Sequence, residues 1–171
     1  PVVLEKLGPV EDEQPPTLIR PPAWARPIDG LFKILGTVPG YREFDVSTPF
    51  LIALPIFTAM LISDGGYGAL LLLGPALVYP RISKALGARF TQLLMLVGFV
   101  SLIWGVLTNA FFGFAVLPKD WTLIPIELTD ASRVFMMRLS FVIGAIHLSL
   151  AQLWQAIRYF PDLRSLSKLG W

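Results

Sequence analysis

Asp64 is the only acidic side chain within a largely apolar run from Thr48 to Tyr79. Holding an ionised carboxylate at mid-bilayer costs about 2.5–3.5 kcal/mol on insertion scales, so its presence there demands a reason. Two readings stand. Asp64 is an ion-pathway carboxylate, or it is a helix N-cap that accepts from the amides of Gly66 or Tyr67 near the membrane surface, and the cap is preferred. His147, the chain's single histidine, falls near the middle of a second apolar run. A neutral imidazole there can relay protons or make an interhelical hydrogen bond, and the small residues around it favour the bond. Arg138 on the same run has the reach to snorkel outward, and Asn109 is a further polar candidate inside the membrane.

The remaining signals are packing signals. Gly98, Ser101, Gly105 and the pair Thr108–Asn109 recur every three to four residues, as do Ser140, Gly144, His147 and Ala151, with Arg133 and Gln155 or Arg158 at the ends of that second stripe. Small side chains at helical spacing let helix backbones approach closely, and the two stripes are expected to face each other. Phe111 and Phe112 read as interfacial or lipid-facing bulk. No phosphate-binding glycine loop, Ser-His-Asp order, paired catalytic carboxylates or metal-ligand spacing occurs, so the sequence offers no self-contained active site and calls for no cofactor and no metal.

These residues need helices to position them. Residues 1–45 read as a connecting arm in which Glu11, Asp12, Glu13 and the pairs Pro15–Pro16 and Pro21–Pro22 oppose regular helix. Ile28, Leu31, Phe32 and Leu35 then follow i, i+3, i+4, i+7 behind Pro27, which predicts a short amphipathic helix on the membrane surface. The run from Thr48 to Tyr79 is about 48 Å long if helical throughout, against a hydrocarbon core of about 30 Å. Ser63, Asp64, Gly65 and Gly66 break it, so a hairpin is expected with arms at 47–63 and 66–80. Each arm is short for a span and requires neighbouring helices or a thinned bilayer. Further spans are expected at 90–112 and 134–159, within a membrane domain over 46–160 that a tail at 161–171 follows.

The fold class is therefore all-α: a polytopic helical membrane protein with about four transmembrane helices. Composition agrees, with 54% hydrophobic and 15% charged residues and a mean hydropathy of +0.65, where soluble domains are about one quarter charged. A net charge of +2 without a basic cluster argues against nucleic acid. The absence of cysteine excludes disulfide scaffolds and thiol chemistry. Arg81, Lys84 and Arg89 in a basic loop at 81–89, with Arg158, Arg164 and Lys168 in the tail, predict that both of these face the cytoplasm. Lys119 among Asp120, Glu127 and Asp130 predicts the opposite side for that loop. The arm, with five basic and seven acidic side chains, is placed in the cytoplasm by the hairpin alone. The chain opens on Pro1 and carries no signal peptide pattern, which reads as a piece of a longer polypeptide.

Six segments carry a family resemblance: PPTLIRPP (15–22), VPGYREFDVSTPF (38–50), SDGGYG (63–68), SLIWGVLTNAFFG (101–113), IGAIHL (143–148) and SKLGW (167–171). In this order and spacing the chain resembles the membrane domain of subunit a, also called subunit I, of vacuolar and archaeal-type rotary ATPases. Where that family usually reads DPTPF, GDxGYG and DKxGW, this chain has DVSTPF, SDGGYG and SKLGW. The resemblance implies a stator subunit contributing to proton or sodium translocation coupled to ATP hydrolysis or synthesis, with rotor-ring, peripheral-stalk and central-stalk partners. It further implies that four of about eight membrane helices are present. The family's essential arginine, which faces the ring carboxylates from a later helix, has no counterpart here, so the expected task is to brace the later helices. An independent four-helix transporter or scaffold is the alternative, for which internal repeats would be the sign; none is convincing.

Overall fold

The computed structural model describes residues 17–18, 20–37, 40, 45–124 and 129–159, with the side chains of Arg158 and Tyr159 excepted. Readings that rest on Glu11–Glu13, on Arg42 and Glu43, on Pro125 and Glu127, and on the tail with Arg164, Lys168 and SKLGW lie outside the described residues. Those described are all-helical, with six α-helices and two 3-10 turns, Ala23–Ala25 and Lys119–Trp121. The helices are α1 (Ile28–Leu35), α2 (Ser47–Ile62), α3 (Gly65–Leu77), α4 (Tyr79–Leu86), α5 (Ala88–Thr108) and α6 (Asp130–Tyr159).

Two of them, α5 and α6, are long and apolar enough to cross a membrane, and α3 with α4 makes a third if that bent pair counts as one span. At 21 residues α5 is about 32 Å long, matched to the hydrocarbon core. With 16 residues, α2 reaches only about 24 Å. The chain forms two compact units: residues 1–105 with 110–114, and residues 106–109 with 115–171.

In the first unit, α1 lays Ile28 into a core with Ala25, Leu51 and Leu93, flanked by Leu31, Phe32, Leu54, Phe90 and Leu96. The Phe32 and Phe50 rings meet at 5.7 Å. Gly30 lets the α1 backbone rest on the backbone of Arg89 and Phe90 at the start of α5, where a Cβ would come under 3.0 Å from both. Arg89 pairs with Asp29 beside this contact.

Local chemistry sets the helix ends. Asp45 accepts from the Ser47 amide at 2.9 Å at the start of α2, and α2 ends where Ser63 turns left-handed at φ 49°. Pro75 lies within α3, and the axis bends by 96° between α3 and α4 at Val78. A proline removes an amide donor and opposes helix in the residue before it; Pro80 does so at the start of α4. The segment read as a basic loop at 81–89 is thus largely helix, because eight residues alternating polar and apolar sides form one amphipathic turn pair.

The apolar run expected to span 90–112 leaves the helix at Thr108, since Asn109 takes φ 54°. Asparagine tolerates that conformation better than most residues. In the second unit, the Thr129 hydroxyl accepts from the Ser132 amide at 3.3 Å. That cap starts α6 at Asp130, ahead of the apolar run.

Candidate functional site

Three glycines bring α3 and α5 into backbone contact. A Cβ on Gly105 would come under 3.0 Å from the backbone of Gly65, one on Gly68 would strike Ser101 and Leu102, and one on Gly98 would strike Leu71 and Leu72. Residue numbers rise along α3 as they fall along α5, so the helices run antiparallel in one continuous register. Ser101 is fully buried at this crossing. The small-residue stripe of α5 therefore seats α3, whereas the sequence suggested α6 as its partner. The signal lay in GGYG, read there as turn chemistry alone.

At one end of this pair Asp64 forms a carboxylate nest. One oxygen, Oδ1, accepts from the amides of Gly66 at 2.8 Å and Tyr67 at 3.2 Å, capping α3. The other, Oδ2, accepts from the Gly113 amide at 3.0 Å. Burial is the largest influence on this carboxyl and pushes it up, but the backbone hydrogen bonds of Phe112, Tyr67, Gly113 and Gly66 outweigh it and hold Asp64 below its ordinary 3.8. In the turn between α2 and α3, Asp64 is thus an ionised, saturated acceptor.

The loop that supplies Gly113 is a tight hairpin. Phe111 and Phe114 exchange two backbone hydrogen bonds of 2.9 Å, with positive φ at both central residues, Phe112 (52°) and Gly113 (81°). Such a turn normally takes Asn-Gly, and phenylalanine there is strained by about 1–3 kcal/mol. The strain is offset where the Phe112 ring stands edge-on to Tyr67 at 5.4 Å and covers Gly66, whose Cβ would fall inside that ring. Phe111 likewise covers Gly65. Both aromatics thus close the α2–α3 turn, in addition to any interfacial role.

Asn109 works in the second unit. Its amide nitrogen donates to the Leu117 carbonyl at 2.8 Å and to the Thr122 hydroxyl at 3.2 Å. Its oxygen accepts from the amides of Val116 at 3.0 Å and Leu117 at 2.7 Å. The side chain is buried and spent on shaping the loop after α5.

On α6, Ser140 donates to the Met136 carbonyl at 2.8 Å, one turn back in its own helix. His147 and Ala151 are half-buried, Arg138 is exposed, and His147 has an interaction partner. A Cβ on Gly144 would meet open space within 4 Å. The opposite face carries large exposed apolar groups, among them Phe135, Val142, Ile146 and Leu153.

No family model matches the chain. It is 31% identical over 174 aligned positions to V-type ATP synthase subunit I 1 of Treponema pallidum, covering 96% of this chain and 28% of that protein. It is 28% identical to V-type ATP synthase subunit I of Borreliella burgdorferi over 95% of this chain and 28% of the relative. With A-type ATP synthase subunit I of Archaeoglobus fulgidus it shares 32% identity over 65% of this chain and 16% of the relative. The chain thus spans less than a third of the length of the relatives it matches. Two helices of membrane-spanning length, the α2–α3 hairpin and these similarities over nearly the whole chain lead to one assignment: the chain belongs to the subunit I family of V-type and A-type ATP synthases.

Proposed function

We propose that this chain is a stator segment of the membrane subunit of a V/A-type rotary ATPase, contributing to proton or sodium translocation by bracing the helices that line the ion path. The observation that carries this reading is the backbone contact of α3 with α5, pinned at one end by Asp64. A stator must resist the torque that the rotor ring exerts, and closely packed backbone contacts deform little under load. The one carboxylate at this pair, Asp64, is taken up by backbone amides and is not free for transport chemistry. The small-residue face of α6, with Ser140, Gly144, His147 and Ala151, is the surface offered to later helices of the same subunit. Partners in this reading are the rotor ring and the peripheral and central stalks, with both ends of the chain on the cytoplasmic side.

The test compares two substitutions in the assembled complex. Gly98→Leu should unfold the α3/α5 pair and abolish assembly. Gly144→Leu should leave the subunit folded but lower ATP-driven ion pumping and complex yield. Unaltered pumping in the Gly144→Leu complex would overturn the bracing role, and transport by the subunit reconstituted alone would favour the independent transporter.

A further inference from the structure

The α3/α5 register fixes the depth of α4. With Gly65 beside Gly105 and Leu72 beside Gly98, the last residue of α3, Leu77, is level with Leu93, little more than one turn inside the Ala88 end of α5. There the chain bends by 96°, so α4 runs across the spans rather than along them. If α5 is matched to the bilayer core, α4 lies in the plane of the headgroup boundary at its Ala88 end. Leu77, Val78 and Leu86 are exposed along it, as are Arg81 and Lys84. This is the composition of a helix that buries one side in acyl chains and offers cations to headgroups.

The charge is one-sided. No aspartate or glutamate occurs between Asp64 and Asp120, while Arg81, Lys84 and Arg89 fall within nine positions. Arg89 is paired with Asp29, but Arg81 and Lys84 have no carboxylate partner among the described residues. At i and i+3 on a helix they are surface neighbours, about 5–6 Å apart at Cβ, a spacing that suits one phosphate group.

We infer that α4 is a headgroup-docking helix whose Arg81 and Lys84 hold the phosphates of anionic lipids in the leaflet at the Ala88 end of α5. The inference rests on the membrane-spanning role of α5 and is independent of what the assembled complex transports.

The test uses the full subunit with Ala85→Cys, an exposed position in a segment that has no cysteine, any cysteine elsewhere in the subunit being replaced by serine. A fluorophore at this site is read in bilayers where either the phosphatidylglycerol or the phosphatidylcholine carries brominated chains. Stronger quenching by brominated phosphatidylglycerol is expected, and Arg81→Gln with Lys84→Gln should reduce the preference about thirtyfold, at about 1 kcal/mol per basic side chain. Arg81→Lys with Lys84→Arg should keep it, as should Lys119→Gln. Equal quenching by the two lipids overturns the inference, as does a preference that survives the double glutamine variant. Quenching by neither shows α4 docked on protein instead, and overturns it too.

Discussion

The Asp64 carboxylate accepts from the Gly113 amide at 3.0 Å, joining positions 49 residues apart. One side chain thereby ties the α2–α3 turn to the hairpin after α5, at the end of the glycine-lined contact where Gly65 meets Gly105. Because its other oxygen caps α3, the lock and the cap cannot be removed separately by truncation.

Asp64→Ala should destabilise the detergent-solubilised subunit by more than the roughly 1 kcal/mol typical of a lost cap, since the Gly113 amide loses its acceptor together with the buried Gly66 amide. Asp64→Asn keeps an acceptor oxygen and should recover part of the loss. The folded carboxyl lies below 3.8, so its contribution is full above that pH and fades as pH falls through the folded value. Thermal unfolding from pH 7 down to pH 3 checks this: the wild type should lose stability only at the acid end, and Asp64→Asn should show a shallower loss. Equal acid sensitivity in both would place the titrating group elsewhere.

Gly98→Ala puts a Cβ under 3.0 Å from the backbone of Leu71 and Leu72. Backbone cannot swing aside as a side-chain tip can, so the helices must part, at about 1–3 kcal/mol. Gly74→Ala on α3 meets nothing within 4 Å and should be neutral or stabilising by up to about 1 kcal/mol through helix propensity. Melting temperatures of the two variants should therefore move in opposite directions, or at least differ clearly.

Asn109→Ala removes four hydrogen bonds from the loop after α5 and leaves alanine at φ 54°. Asn109→Gly relieves the backbone strain but restores none of those bonds. Limited trypsin digestion at Lys119 should accelerate in both variants, and more in alanine. Cleavage at the wild-type rate would mean that the loop is held by other contacts.

Helical periodicity and hydropathy made α1, α5 and α6 legible, because one stripe or one long apolar run suffices to mark each. The Asp64 cap was legible too, since an acid followed by two glycines and an aromatic is a local pattern. Its bond to Gly113 was not, as no local rule couples the two positions. The partner of the Gly98–Ser101–Gly105 stripe was also hidden: small residues announce close packing but not with whom, and GGYG doubled as turn chemistry. The α4 helix was obscured because eight residues with three polar groups read equally well as a loop, until the bend after Pro75 separates them from α3.

Membrane sidedness is open to direct labelling. In the proposed orientation the α5–α6 connection lies away from the cytoplasm, as the excess of Lys and Arg at the α4 end of α5 and the acidic groups beside Lys119 predict. Lys119→Cys should then react with a membrane-impermeant maleimide from the outer side of intact cells, and Ala85→Cys should react only after permeabilisation. Reaction of Lys119→Cys from the cytoplasmic side would invert the hairpin topology.

His147 gives the sharpest division between bracing and conduction. It is half-buried on the small-residue face of α6 and has an interaction partner. A proton relay must release and take up protons during each transfer, so replacing it would lower the pumping rate and shift its pH dependence. A structural imidazole would alter stability alone. His147→Ala in the full subunit should accordingly reduce complex yield several-fold while pumping per assembled complex, and its pH profile, stay as in the wild type. His147→Gln, which keeps a donor and an acceptor, should recover the yield. A normal yield with pumping abolished would make His147 part of the ion path and remove the case for a purely bracing segment.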